Sequence, residues 1–224
     1  MAADGSADGE QLRRLYAERF AGDRDRRAAL WRALCAGFFD RYVRPDDTVL
    51  DLAAGGCEFI NAVSAGTRIA VDVNPAVREA AADWVTTIVA SADRLTGVPD
   101  ASVDVVFASN FFEHVDRETI LAVMTEGRRV LRPGGRFLVL QPNIRFCARD
   151  YWMFFDHVTP IDDRALVEAF RLAGLEVTTV VPRFLPYTTK GRLPPSPLLV
   201  RAYLAFPPAW RLLGKQSFLV AERP

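Results

Sequence analysis

Thr48-Val-Leu-Asp-Leu-Ala-Ala-Gly-Gly-Cys-Glu-Phe59 is an apolar strand that ends in a carboxylate and runs into a turn of small residues. Val49, Leu50 and Leu52 read as a buried strand, with Asp51 near its carboxyl end. Ala53-Ala54-Gly55-Gly56 lets the backbone approach a ligand that a turn rich in Cβ atoms would hold off. About twenty residues on, Arg68-Ile-Ala-Val-Asp-Val-Asn74 is a second apolar run with a carboxylate, Asp72, at its end. The spacing predicts one βαβ unit. The oxygens of Asp72 can accept from both hydroxyls of a ribose, so the two runs together suit a nucleoside cofactor.

The turn separates the candidate cofactors. A dinucleotide fingerprint wants Gly-x-Gly-x-x-Gly, so that pyrophosphate sits on a helix N-terminus. Here those positions fall on Ala53, Gly55 and Glu58, and a glutamate at the mouth of the helix repels pyrophosphate. The chain resembles instead a class I S-adenosylmethionine-dependent methyltransferase of the small kind that acts in sugar, lipid and natural-product pathways. The resemblance covers roughly residues 42–224. It rests on Asp51, Asp72, Ala92-Asp93, Pro99-Asp-Ala-Ser-Val-Asp-Val-Val-Phe107, Asn110-Phe-Phe-Glu-His-Val115 and Leu131-Arg-Pro-Gly-Gly-Arg-Phe-Leu-Val139, taken in order. The family's Gly-x-Gly-x-Gly turn is departed from, with Ala53, Gly55 and Cys57 in the three glycine positions.

The resemblance implies S-adenosyl-L-methionine as donor, S-adenosyl-L-homocysteine as product, and a cofactor site drawn from Asp51, Ala53, Gly55, Phe59, Asp72, Val73, Asp93, Arg94 and Asn110. Asp51 or the turn amides take the amino-acid end, Asp72 the ribose, and Asp93 the adenine. Phe59 and Val73 are either packing surfaces for the nucleoside or ordinary core. Asn110 is either a cofactor contact or a turn former.

The fold expected is α/β, a Rossmann-like, doubly wound, seven-stranded and mostly parallel sheet with an antiparallel last strand. Helices are predicted over residues 11–20 and 23–42, the second with Leu30, Leu34 and Phe38 on one stripe. Strands follow at Thr48–Ala53, Arg68–Val73, Thr87–Ala90, Val103–Ser109, Arg136–Gln141, Leu175–Val181 and Ser217–Ala221. The stripe Ile120, Met124, Gly127 and Leu131 marks a helix that Pro133-Gly134-Gly135 stops. Thr159-Pro160 reads as cap and first position of a later helix that ends at Gly174. Ligands of such sheets collect outside the carboxyl ends of the strands.

Methyl transfer needs the acceptor close and in line with the sulfonium, and an alcohol acceptor profits from a base that takes its proton. The chain has only two histidines. His114 follows strand 4 in Glu113-His114, and His157 closes Tyr151-Trp-Met-Phe-Phe-Asp-His157, where Asp156 could fix its tautomer. Both are candidate bases; the alternative for each is a structural histidine. Gln141, Asn143, Tyr151 and His157 are the candidate substrate contacts. Tyr16 is either part of a lid or a packing anchor.

Lysine plus arginine and aspartate plus glutamate each number 28, so the formal charge is zero, which argues against a nucleic-acid binder resting on phosphate neutralisation. Cys35, Cys57 and Cys147 are far apart, and the spacing shows no metal-ligand cluster. These features, an acidic start over residues 1–9 without the pattern of a signal peptide, and the lack of a long apolar run predict a cytoplasmic protein. Residues 1–9 are expected to be disordered and residues 10–224 to form one domain, monomeric or homodimeric.

One stretch exceeds the minimal pattern. Residues 183–215 contain no Asp or Glu but hold Arg183, Lys190, Arg192, Arg201, Arg211 and Lys215 among aromatic and aliphatic side chains. Such an insertion either folds back as a pocket cover or dimer contact, or makes a peripheral membrane contact. The acceptor expected is a small molecule, apolar or attached to an anionic lipid carrier, and oxygen is its expected methylation site. Nitrogen or carbon methylation, or a non-catalytic scaffold that keeps the fold, are the alternatives.

Overall fold

The computed structural model describes residues 24–187 and 196–224. The segment 1–9, the helix expected over 11–20, Tyr16, Lys190 and Arg192 lie outside the described residues.

Seven strands form one sheet: β1 (Thr48–Leu52), β2 (Thr67–Asp72), β3 (Thr86–Val89), β4 (Val103–Ser109), β5 (Leu131–Pro142), β6 (Glu176–Val181) and β7 (Gln216–Glu222). Their order is β3-β2-β1-β4-β5-β7-β6. The pairs from β3 to β5 are parallel, and β7 runs antiparallel between β5 and β6. The expected α/β architecture is therefore present, with the late β7 inserted between its neighbours.

Alternation along the strands makes two cores. Leu50, Val106, Phe137 and Val139 face helices α4 (Arg117–Val130) and α6 (Asp163–Leu172), meeting Ile120, Val123, Met124, Leu166 and Phe170. Val49, Val105, Phe107, Leu138 and Leu140 face the other layer, with α1 (Arg24–Gly37), α2 (Glu58–Ala62) and α3 (Val77–Ala80). The helix expected over 23–42 ends at Gly37 and is followed by a 3-10 turn, Phe39–Arg41, so Leu34 is buried from α1 and Phe38 from the turn after it. Gly127 of α4 lies so close to the Phe137 ring that a Cβ would collide with it, which brings α4 down onto β5.

Two further helix boundaries differ from the sequence reading. α4 already ends at Val130 with Leu131 extended, because Pro133-Gly134-Gly135 belongs to the entry of β5, where Gly134 and Gly135 exchange backbone hydrogen bonds with Arg223. α6 is capped by Asp162, whose side chain accepts from the Arg164 and Ala165 amides. Thr159 is not the cap; its hydroxyl donates to the Val115 carbonyl. A carboxylate next to two free amides outcompetes a hydroxyl three residues earlier.

Between β5 and α6 lies α5 (Ile144–Tyr151), and the insertion forms α7 (Pro197–Leu204) and α8 (Pro207–Leu213), each begun by a proline. Leu204 is buried, the Tyr203 hydroxyl donates to the Phe184 carbonyl, and the Trp210 indole donates to the Tyr203 carbonyl at 2.8 Å. Among the described residues no helix is long and apolar enough to cross a membrane.

Candidate functional site

The turn after β1 is shaped by three left-handed residues, Ala53 (φ 52°), Gly55 (φ 52°) and Cys57 (φ 59°). These are the three positions where the resembled family carries glycine. The Ala54 amide donates to Val71 O at 3.1 Å and the Gly55 amide to Asp72 Oδ2 at 2.8 Å, so the turn folds over the end of β2. Asp72 Oδ1 accepts from the Asn74 amide at 2.7 Å. Each oxygen keeps a second lone pair for a ligand hydroxyl. The Asp72 carbonyl accepts from the Ala90 amide at 3.1 Å, which ties the loop carrying Asp93 to the same end of the sheet.

The electrostatics of this turn are acidic. Burial pushes the Asp51 carboxyl well above the usual carboxylate range, and the charges of Glu58 and Asp72 push it further up, against the Ile60 amide. Burial and the same three acids push the Cys57 thiol up to about 12. Arg27 of α1 offsets part of this field through an ion pair with Glu58 at 2.9 Å, a partner that the sequence reading missed because helix α1 and the turn are thirty residues apart. A cationic ligand is stabilised here, whereas pyrophosphate is repelled.

Val73, Arg94 and Asn110 are exposed around this turn and Asp93 is half-buried. Asn110 is left-handed (φ 49°), and its amide donates to Leu140 O at 2.9 Å, so it forms the turn out of β4 with its side chain at the surface. Phe59 is different: it is 3 % exposed and stacked on Phe107 with centroids 3.7 Å apart. Its ring is part of the core, and the nucleoside-packing role drops away.

On the other side of β4, residues from three separate stretches converge. His114 Nδ1 lies 3.2 Å from Asp156 Oδ2 and 3.2 Å from the Asp156 carbonyl, and its Nε2 lies 3.8 Å from Glu113 Oε1. Glu113 is 2 % exposed and accepts from Gln141 Nε2 at 2.6 Å. His157 packs edge-on to His114 at 4.9 Å, against Tyr151 at 4.9 Å, and stacks on Phe154 at 5.1 Å. Burial opposes the charge on His114, but the Asp156 hydrogen bond and the Glu113 and Asp156 charges outweigh it and raise its pKa. Glu113 is raised by burial, against the opposing pull of His114 and Gln141.

Three of the expected substrate contacts are structural here. Gln141 is spent on Glu113 and on the Phe112 amide. Asn143, fully buried, caps α5 and donates to Asp163 and Pro182. Tyr151, also fully buried, donates to the Thr159 carbonyl. Asp156, expected to orient His157, holds His114. Tyr187, one of the aromatic residues of the 183–215 stretch, joins this side: its ring meets Phe154 edge-on at 6.1 Å, and burial followed by Glu113 raises its pKa.

Glu113, His114 and His157 each offer a donor atom within 4.8 Å of the others, a grouping that their spacing in sequence conceals.

Residues 50–139 match the model of a methyltransferase-domain family. Over 82 residues the chain is 42 % identical to a Mycolicibacterium smegmatis protein named "Probable S-adenosylmethionine-dependent methyltransferase", a stretch that is 36 % of this chain and only 31 % of that relative's length. The fold is similar to a SAM-dependent methyltransferase from Archaeoglobus fulgidus, with TM-score 0.66 and 18 % identity over 93 % of this chain and 98 % of that one. It is also similar to geranyl diphosphate C-methyltransferase from Streptomyces coelicolor A3(2), with TM-score 0.58 and 18 % identity over 86 % and 77 %. Residues 50–139 thus match a methyltransferase-domain family model, and the seven-stranded order is the fold of the solved methyltransferases to which the chain is similar.

Proposed function

We propose that this protein transfers the methyl group of S-adenosylmethionine to a hydroxyl oxygen of a small-molecule acceptor, a sugar, a lipid-linked group or a secondary metabolite, in a reducing cytoplasm. The observation that carries the donor half is the acidic turn, where Asp51, Glu58 and Asp72 crowd one another. The ammonium and sulfonium of the donor relieve that crowding. Three buried free thiols agree with a reducing compartment.

The acceptor half rests on His114. Asp156 holds Nδ1, and Nε2, which faces Glu113 Oε1 at 3.8 Å, is the nitrogen that takes the acceptor's proton in this reading, the arrangement in which a carboxylate fixes the tautomer of a general base. Its raised pKa makes it a stronger base that is free to act only once deprotonated, so turnover rises with pH through that pKa. His157, more deeply buried, positions His114 and walls the acceptor side.

Calorimetric titration with S-adenosylmethionine and S-adenosylhomocysteine, with NAD as control, tests the donor. Binding to both sulfur nucleosides, lost in Asp72→Ala, is the expected result. Heat from NAD alone, or none from either sulfur nucleoside, overturns the reading in favour of another ligand or a scaffold. Once an acceptor alcohol is found, His114→Ala should lower kcat by about 100-fold.

A further inference from the structure

At the same end of the sheet, α5, the end of β6 and α8 line an open cavity of about 460 Å³. Three arginines line it, Arg145, Arg183 and Arg211, together with Phe146, Trp210 and Pro207; among the described residues no carboxylate lines it. Two of the guanidinium groups are fixed in place. Arg145 Nη1 donates to Asp163 Oδ1 at 2.8 Å. Arg183 donates to the carbonyls of Gly214 at 2.9 Å and Leu212 at 3.0 Å, where α8 ends. Both also lie over the one Phe146 ring, at 5.1 Å and 4.7 Å from its centroid. Asp163 balances one charge. The carbonyls that hold Arg183 are neutral, and Arg211 is exposed. Two positive charges thus remain in a cavity with apolar walls, where an anion is bound more strongly than in open water.

We propose that this cavity binds the phosphate or diphosphate group of a phosphorylated acceptor. Guanidinium forks match phosphate oxygens in pairs, and the fixed arginines lose little freedom on binding. Two stretches connect this cavity to the histidine side: α5 carries Arg145 and Phe146 at one end and Tyr151 at the other, and residues 182–187 run from Arg183 to Tyr187. Arg145 and Tyr151 stand on either side of a kink at Cys147, where the backbone leaves helical geometry. An anion held by the arginines would anchor the acceptor at one point while its hydroxyl reaches His114. The word acceptor rests on the methyl-transfer reading above; anion binding itself does not.

The test is calorimetric titration of the full chain with inorganic pyrophosphate at low salt, beside a matched titration with sulfate. The expected result is pyrophosphate binding that exceeds sulfate binding and weakens about tenfold in Arg211→Glu, with Arg211→Lys intermediate. Arg211 is exposed, so the variant should fold, and S-adenosylhomocysteine binding unchanged in it serves as the check. A second arm uses farnesyl diphosphate: tighter binding than pyrophosphate assigns a lipid-linked source that uses the Phe146 and Trp210 walls, and equal binding assigns a soluble one. Pyrophosphate binding no stronger than sulfate, or undiminished in Arg211→Glu, overturns the proposal. Pyrophosphate binding without S-adenosylhomocysteine binding would keep the anion site and sink the donor reading instead.

Discussion

His114 is held between two carboxylates, and its titration is measurable without any substrate. Because the chain contains only two histidines, NMR of the imidazole carbons gives two signals to follow. One should titrate above the ordinary histidine value of 6.5, because the Asp156 and Glu113 contacts outweigh burial. In Asp156→Asn the same signal should move down. The sign for stability follows from linkage. A folded-state pKa raised above the unfolded one means that the His114–Asp156 contact contributes fully below 6.5 and is lost as pH rises through the raised value. Asp156→Asn should therefore cost about 2 kcal/mol in mildly acidic solution and progressively less at alkaline pH, as read by denaturant unfolding. A penalty independent of pH would mean that Asp156 acts only by packing.

The turn after β1 shows what one element does to its residues. Its backbone alternates into the left-handed region at residues 53, 55 and 57, so that amides can reach Asp72 and the ligand space above it. A residue with a Cβ is strained there by about 1 kcal/mol. Ala53 bears that strain for nothing but a methyl group, so Ala53→Gly should raise stability by about 1 kcal/mol, or about 3 °C in Tm. Gly55→Ala should lower it by a similar amount, since a Cβ at Gly55 meets only Ala53 O at 3.9 Å and the cost is purely in the backbone. Cys57 differs: its side chain is fully buried, and Cys57→Gly exchanges strain for a void. Thermal unfolding of the first two variants checks the pair, and equal midpoints would show that the turn is not strained. The sequence marked two of these positions, Ala53 and Cys57, as replaced glycines, but only the dihedral angles show why glycine belongs there.

At the scale of the whole molecule, legibility divides along the sheet. The half from β1 to β4 could be read because each carboxylate or turn follows its own strand, so Asp51, Asp72 and Asp93 were placed by local pattern. The acceptor half could not, because Glu113, Gln141, Asp156 and Tyr187 meet only after β5, α5 and β6 have packed; the buried roles of Gln141, Asn143 and Tyr151 follow from contacts that no spacing reveals. The insertion stands between these cases. Its zero acid content was visible, and the structure adds how it folds: Tyr203, Leu204 and Trp210 turn inward, while Leu198, Leu199, Phe206, Leu212 and Leu213 are more than half exposed. Through these residues α7 and α8 pack against the rest of the domain, yet an apolar surface beside Arg201 and Arg211 remains outward. The proposed peripheral membrane contact would use this face, with leucines entering the headgroup boundary and Arg201 meeting lipid phosphates. Co-sedimentation with phosphatidylserine-containing vesicles at low salt should carry the protein down. Phosphatidylcholine vesicles should not, and raising the salt should release it. Leu198→Glu combined with Leu212→Glu should abolish the pelleting while leaving S-adenosylhomocysteine binding intact. Pelleting that survives both substitutions would place the membrane contact elsewhere on the molecule, and none at low salt would leave this face to a second copy of the chain, detectable as a dimer by sedimentation.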